Sequence, residues 1–256
     1  MLDAHLHLDR YPQWQLDQLI DEWQKAGIQG VVAVSTDLAS SYRTLELKQR
    51  YPDFVYAAVG HHPEQAPPDE ADGNELFALM ACERDQLAAV GEVGLPHYTT
   101  EQMEPGNFEK HWEWLVSFIK TAKRLHLPLA LHAVHEHTQP VLDLLLAHKI
   151  EHAHFHWLKT DPATLKKVFD SGYYMSLTPE VCYRERDRKL AELAPLEQLM
   201  VETDGPWPFS GPFEGKQTTP EFVAEVMKSI AEIKDTTFTE IVEQTTKNTK
   251  KVYDGG

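Results

Sequence analysis

Short apolar runs alternate with longer amphipathic stretches along the chain, which predicts strands that alternate with helices. The run 31–35 is rich in valine, and the run 87–93 is short and almost wholly apolar. Such runs are typical of parallel strands that helices cover. The stretch 108–125 is long and amphipathic, as a covering helix would be. Further strands are predicted at 54–60, 128–132, 154–156, 173–177 and 199–202.

The number of predicted strands indicates the fold. With the opening segment "MLDAHLHLD" counted as a strand, eight strand–helix units fill the 256 residues, which is the expected size of a (β/α)8 TIM-like barrel, about 250 residues. The alternative is an open doubly wound sheet. No glycine-rich phosphate turn follows the first strand, which argues against the dinucleotide-binding form of that alternative. Without a long linker, repeat or low-complexity tract, we predict one barrel domain over 1–256.

Helix starts and long loops are visible as well. Asp161-Pro162 and Thr219-Pro220 each pair a capping residue with a proline suited to the first helical position. The loops 61–73 and 205–219 are rich in proline, and the second also in glycine and aromatic residues. Long loops after barrel strands usually form the active face, so we expect these two loops there.

Composition narrows the function classes. A formal net charge of −16 disfavours sequence-independent binding to duplex nucleic acid, which depends on lysine and arginine. No apolar run approaches the roughly 20 residues that span a bilayer, and no secretory signal opens the chain. Cys82 and Cys182 lie far apart and outside any CxxC pattern. We therefore expect a cytoplasmic, monomeric protein with reduced thiols and no membrane partner.

Residues that can bind metal ions recur at the strand ends, which a barrel brings together on one face. Six of them lie late in, or directly after, predicted strands: His5, His7, Glu92, His132, His156 and Asp204. Each alone could be a rim residue, and the HxH pair alone could be the wet face of a strand. His154 shares a strand face with His156 and is its rival at the sixth strand.

Taken together, these six side chains predict a metal centre. Imidazole and carboxylate groups without thiolate favour Zn²⁺, Mn²⁺ or Mg²⁺ in a catalytic rather than a structural site. Four histidines and two carboxylates exceed one tetrahedral site with an open position. They suit two divalent ions about 3.5–4 Å apart with a bridging carboxylate.

Six stretches also match one known family: "DAHLHLD", "AAVGHHPE", "AVGEVGLP", "LPLALHA", "HFHWLK…GYYMSL" and "VETDGPW". In their order and spacing they span nearly the whole chain, which resembles the TatD-type metal-dependent hydrolases of the amidohydrolase-like barrels. The resemblance implies a TIM-like barrel, two divalent ions and phosphodiester hydrolysis, commonly of DNA.

By matching positions, the resemblance also implies residue roles. One ion would be held by His5, His7, Glu92 and Asp204, and the other by the bridging Glu92 with His132 and His156. Asp204 would orient or deprotonate the attacking water, and Glu202 would support the ligands from behind. His62 would lie near the scissile phosphate. We predict substrate contacts for His135 and Trp207 as well, with single-stranded DNA ends or a small phosphate ester as partner.

Three departures from the family pattern concern substrate binding. The family usually has arginine where this chain has Val134, and arginine again where it has Glu214. Its aspartate after "GEVGL" is replaced by Pro96 and His97. Neither valine nor glutamate can grip phosphate as arginine does. The pattern therefore supports hydrolysis more strongly than it supports DNA as substrate.

Three hypotheses stay open at this point. The first is a two-metal phosphoesterase, in which Glu92 and Asp204 carry the chemistry. The second keeps the barrel and the ions but acts on an amide, ester or lactone, which the missing arginines motivate. The third is a barrel that binds metal without turnover.

Overall fold

The strands of the barrel are short, parallel and ordered as they occur along the chain. In the computed structural model, which describes residues 1–254, one sheet contains eight strands in the order β1 to β8. They are β1 (Leu2–Leu6), β2 (Gly30–Val34), β3 (Val55–Val59), β4 (Leu87–Gly94), β5 (Leu129–His132), β6 (Ala153–Phe155), β7 (Tyr174–Leu177) and β8 (Leu199–Val201). The backbone N–H of Asp204 donates to His5 O (2.9 Å) and that of His7 to Gly205 O (2.7 Å). These bonds join the end of β8 to β1, so the sheet forms a nearly closed barrel and the predicted fold is confirmed.

Helices surround the sheet: α1 (Leu16–Lys25), α2 (Leu38–Arg50), α3 (Glu70–Cys82), α4 (Asn107–Leu125), α5 (Thr138–His148), α6 (Pro162–Asp170), α7 (Glu185–Leu193), α8 (Val223–Lys234) and α9 (Phe238–Tyr253). The main core lies between the strands and this layer, where Val31 and Leu131 pack with Ile119 and Leu142. A second apolar cluster contains Ala4, Val32, Ala58, Ala130, Met200 and Tyr253. No helix within residues 1–254 is long and apolar enough to cross a bilayer.

The two predicted helix starts differ in their caps. The Asp161 carboxylate accepts from the N–H groups of Ala163 and Thr164, so the predicted cap of α6 is confirmed. The Thr219 side chain makes no cap bond, and a 3-10 turn, Pro220–Phe222, precedes α8. Two helices follow this turn: α8 ends at Lys234, and α9 begins at Phe238.

Candidate metal centre

Glu92 on β4 is the carboxylate on which four histidines converge. It is fully buried. Its Oε1 lies 2.8 Å from His156 Nε2, 3.0 Å from His132 Nδ1 and 3.1 Å from His62 Nε2. Its Oε2 lies 3.1 Å from His5 Nε2. These histidines come from or follow β1, β3, β5 and β6, so the barrel itself brings them to one carboxylate.

Asp204 is the second carboxylate of the centre. It follows β8 with a positive φ of 48°, and its Oδ1 lies 3.4 Å from His7 Nε2 and 3.5 Å from His5 Nε2. His7 Nε2 is also 3.7 Å from Glu92 Oε2. The structure therefore brings all six predicted ligands together at the carboxyl ends of the strands.

A glycine at the end of β4 permits this approach. The backbone of β4 passes so close to β5 that a Cβ at Gly94 would overlap the carbonyl oxygen of His132. Only glycine fits without a shift of one strand. Gly94, the last residue of "GEVG", thus allows Glu92 and His132, on adjacent strands, to lie within hydrogen-bonding distance.

Buried polar atoms without hydrogen-bond partners indicate that the centre suits a cation. Within residues 1–254, such atoms here are both ring nitrogens of His5, Nδ1 of His7 and His156, Oε2 of Glu92 and Oδ1 of Asp204. A buried unsatisfied polar atom costs about 1–3 kcal/mol, so a native protein rarely concentrates so many without a purpose. Imidazole nitrogens with carboxylate oxygens are ligands of divalent transition metals. Atoms of His5, His7 and Glu92 lie within 4.8 Å of one another, as do those of His62, Glu92 and His132. The residues therefore fit divalent ions.

Both carboxylates are held in the ionised form. Burial alone would raise the pKa of Glu92, but His62, His156 and His5 outweigh it and hold that pKa well below its usual range. Burial opposes ionisation of Asp204 too, and contact with His7 outweighs it and lowers the pKa of Asp204. The centre thus presents negative charge to a cation.

Glu202 and His154 lie behind the centre. The Glu202 carboxylate accepts from the backbone N–H of Trp157 (2.7 Å) and from the Ser176 hydroxyl (2.5 Å). It lies 3.5 Å from His156 Nδ1. Such a carboxylate orients the ring of a ligand, which is the supporting position predicted for Glu202. His154 Nδ1 lies 2.7 Å from the Tyr253 hydroxyl instead. His156, rather than its rival, therefore faces Glu92.

A cavity of about 850 Å³ opens beside the centre. His62 and the half-exposed Trp207 border it, as their predicted substrate contacts require. His135 is not among the residues that line this cavity, because its ring stacks on His97 at 4.4 Å between centroids. Val134 borders the cavity as a buried apolar residue.

Comparison with known proteins places the chain in a family. Residues 2–254 match the family model described as TatD related DNase. The chain belongs to the TatD family. An uncharacterized metal-dependent hydrolase of Haemophilus influenzae is 37% identical over 253 residues, covering 99% of both chains. Human deoxyribonuclease TATDN3 is 28% identical over 267 residues, covering 99% of this chain and 94% of the relative.

A solved TatD homologue has the same fold. The crystal structure of YjjV from Escherichia coli superimposes with a TM-score of 0.87 at 24% identity, covering 99% of this chain and 98% of that one. The likeness supports the barrel architecture of this TatD-family chain.

Two residues beside the centre were missed in the sequence. Glu64 accepts from the backbone N–H groups of His97, Tyr98 and Thr99 and lies 3.1 Å from His132 Nε2. Burial would raise the pKa of Glu64, but His132 and these donors lower it strongly. Its only signal was its place two residues after His62 in "GHHPE". The second missed residue is Lys159, three residues after His156. Its only indication in the sequence was likewise its place after a strand.

Proposed function

We propose that this TatD-family chain is a two-metal phosphoesterase that hydrolyses phosphodiester bonds at DNA ends or in a smaller phosphate ester. The observation that carries the proposal is Glu92, whose two oxygens lie within 3.1 Å of four histidines. One carboxylate among so many imidazoles suits a bridge between two ions.

The ligand sets follow from the side chains around that bridge. One ion would be held by His5, His7, Glu92 and Asp204, and the other by Glu92, His132 and His156. Bound divalent ions would lower the pKa of a water molecule and neutralise charge on the phosphoryl oxygens. Zn²⁺, Mn²⁺ and Mg²⁺ are the candidates for such ligands.

The chain's own residues position the substrate and move the proton. Asp204 borders the cavity and is ionised, so it can orient the attacking water and accept its proton. His62 borders the same cavity, where its ring can contact the substrate next to Glu92. Trp207, 56% exposed at the rim, offers a face on which a base could stack, worth about 1–3 kcal/mol.

The relatives and the charge support the substrate class. The matching family model is described as TatD related DNase, and the human relative is named a deoxyribonuclease. The net charge of −16 favours contact with few phosphates rather than with a long duplex. DNA ends and small phosphate esters meet that requirement.

The test is a substrate screen with the metal content controlled. Protein stripped by a chelator is reloaded with Mn²⁺, Mg²⁺ or Zn²⁺ and assayed on labelled single-stranded DNA, bis(4-nitrophenyl) phosphate, 4-nitrophenyl acetate and a lactone. We expect metal-dependent cleavage of the phosphodiesters and its loss in Asp204→Asn. Asp170→Asn, which alters an exposed carboxylate paired with Lys166, is the matched control.

Val134 gives the main alternative its physical basis. An apolar residue on the cavity wall suits a neutral carbonyl substrate better than it suits a phosphate. A clear preference for the acetate ester or the lactone would overturn the phosphoesterase proposal in favour of an acyl hydrolase. Loaded protein that cleaves nothing in the screen would instead indicate a barrel that binds metal without turnover.

A further inference from the structure

A buried lysine borders the cavity beside the proposed metal centre. Lys159 follows β6 and is only 7% exposed. Its ammonium group lies 2.8 Å from the Tyr98 hydroxyl and 3.9 Å from the centroid of the Trp157 ring. A hydroxyl and an aromatic face hold the ammonium group in place without neutralising it.

The Glu180 carboxylate on the cavity wall is engaged with donors other than Lys159. Within residues 1–254, Lys159 forms no ion pair at 4.0 Å or less. Glu180, which also borders the cavity, binds Arg184 and Arg186 and lies 3.2 Å from Trp157 Nε1. Burial lowers the pKa of Lys159 to about 8, so the group is still protonated at neutral pH. A buried cation without a counter-ion is costly unless an anion joins it.

The other cations on the cavity wall differ from Lys159. Arg184 is half-exposed and paired with Glu180, and Arg10 is exposed. Among the described residues that line the cavity, Lys159 is therefore the buried cation available to an incoming anion.

The position of Lys159 separates it from the reacting centre. The Tyr98 hydroxyl bonds to its ammonium group, and the Tyr98 ring lies 6.1 Å from the His132 ring, centroid to centroid. The ammonium group lies more than 4.0 Å from the Glu92 carboxylate, so an anion bound to it occupies a separate place beside the Tyr98 hydroxyl. A substrate that reaches both places needs two anionic groups, as an oligonucleotide or a phosphorylated nucleotide has.

We propose that Lys159 forms an anion subsite that binds a second, uncleaved phosphate of the substrate. The inference rests on the proposed phosphoesterase function and makes it more specific. It selects oligonucleotide ends and nucleotides with an additional phosphate over isolated phosphodiesters.

Binding to the metal-loaded protein tests the subsite without turnover. The probe is labelled phosphorothioate dT4, which resists cleavage, and its affinity is measured by fluorescence anisotropy at several salt concentrations. Lys159→Met should bind about tenfold more weakly, as expected for loss of one charged hydrogen bond. The slope of log affinity against log salt should fall by about 0.7, one phosphate contact on a single strand. Lys159→Arg should stay within about threefold of wild type because the charge remains.

Two controls separate a local effect from a general one. Lys251 also lies over an aromatic ring, 5.7 Å from the Tyr174 centroid, but does not line the cavity, so Lys251→Met should bind dT4 as wild type does. Thermal unfolding shows whether Lys159→Met is folded. A further measurement needs no variant: wild type should bind pTpT or TpTp, which carry an additional phosphate, more tightly than TpT. Equal affinities for the three would overturn the subsite.

The outcomes distinguish this inference from the proposed function. If wild type cleaves phosphodiesters and folded Lys159→Met binds dT4 with wild-type affinity and salt slope, the subsite is wrong and the phosphoesterase proposal stands. If no phosphodiester is cleaved but Lys159→Met loses affinity and salt slope, the subsite stands as an anion site and the phosphoesterase proposal fails. A raised KM with kcat within about threefold of wild type supports both.

Discussion

Two histidines of the sixth strand segment, His154 and His156, are equally buried but have opposite surroundings. His154 Nδ1 lies 2.7 Å from the Tyr253 hydroxyl, and burial holds its pKa well below the usual value. His156 Nε2 lies 2.8 Å from Glu92 Oε1. Burial opposes protonation there too, but Glu92 and Glu202 outweigh it and raise the pKa of His156. Burial therefore does not separate a structural histidine from a candidate ligand, whereas the partner does.

The same contrast divides the inside of the barrel. Tyr253 packs with small and aliphatic strand residues in an apolar cluster that supports the fold. At the carboxyl ends, both ring nitrogens of His5, Oε2 of Glu92 and Oδ1 of Asp204 lack hydrogen-bond partners. The first region is an apolar core cluster, whereas the second concentrates buried polar atoms that a cation could bind.

The largest expected effect compares the two histidines directly. His156→Ala should reduce kcat/KM by about 10³-fold, because a bound metal contributes several kcal/mol to the transition state. His154→Gln should reduce it by less than tenfold and act on stability instead. Steady-state kinetics on the best phosphodiester, with a thermal melt for each variant, check the pair. Equal loss of activity in His156→Ala and His154→Gln would contradict the assignment of different roles to the two histidines.

A smaller effect is expected from the carboxylate behind His156. Glu202→Gln keeps the size of the side chain but weakens its hold on the His156 ring, 3.5 Å away. Loss of such support typically costs about 10- to 100-fold in metal affinity or activity. Metal titration of the stripped protein measures it. Wild-type affinity in this variant would show that Glu202 does not position the ligand.

Tyr253→Phe examines the apolar cluster and its hydrogen bond to His154. The change removes the hydroxyl 2.7 Å from His154 Nδ1 and leaves that nitrogen buried. Unfolding free energy should fall by about 1–3 kcal/mol while metal affinity is unchanged. Urea unfolding and metal titration test the two statements. A loss of metal affinity would show that the two regions are coupled.

His111 on α4 is a buried histidine whose pKa, unlike that of His156, is not raised above the usual value by carboxylates. It is 3% exposed, and burial lowers its pKa to about 4. Below pH 6.5, His111 is protonated in the unfolded chain but stays neutral in the folded chain. The contribution of neutral, buried His111 to folding stability is therefore complete above pH 6.5 and is lost as pH falls toward 4. Between pH 7.5 and 5.5, His111→Gln should lose less stability than wild type, by about 1.4 kcal/mol at most. Parallel pH profiles of urea unfolding would contradict this.

Much of the fold and of the centre could be predicted because a barrel places the carboxyl ends of all its strands on one face. His5 and Asp204 are 199 positions apart in the chain, yet both follow from their strand positions. Glu64 could not be predicted, because its partners His97, Tyr98 and Thr99 come from a different loop. Loop geometry depends on such tertiary contacts, and no periodicity in the sequence encodes them.

Lys159 and His135 illustrate the same limit. Lys159 could be identified as a cation without a counter-ion only once the arginine partners of Glu180 were known. His135 has a φ of 54° in a 3-10 turn and stacks on His97. A position just beyond a strand was sufficient to suggest a substrate contact, but not to show where the side chain points.

The metal content of wild type and Glu92→Ala tests the central claim, that Glu92 is shared by two ions. Both proteins are stripped, reloaded with excess Zn²⁺ or Mn²⁺, dialysed and analysed by mass spectrometry. Asp170→Ala, which alters an exposed carboxylate outside the centre, is the control. Wild type and control should retain about two ions per chain and Glu92→Ala fewer than one, because both ligand sets lose a member. Retention of two ions by Glu92→Ala would contradict the account.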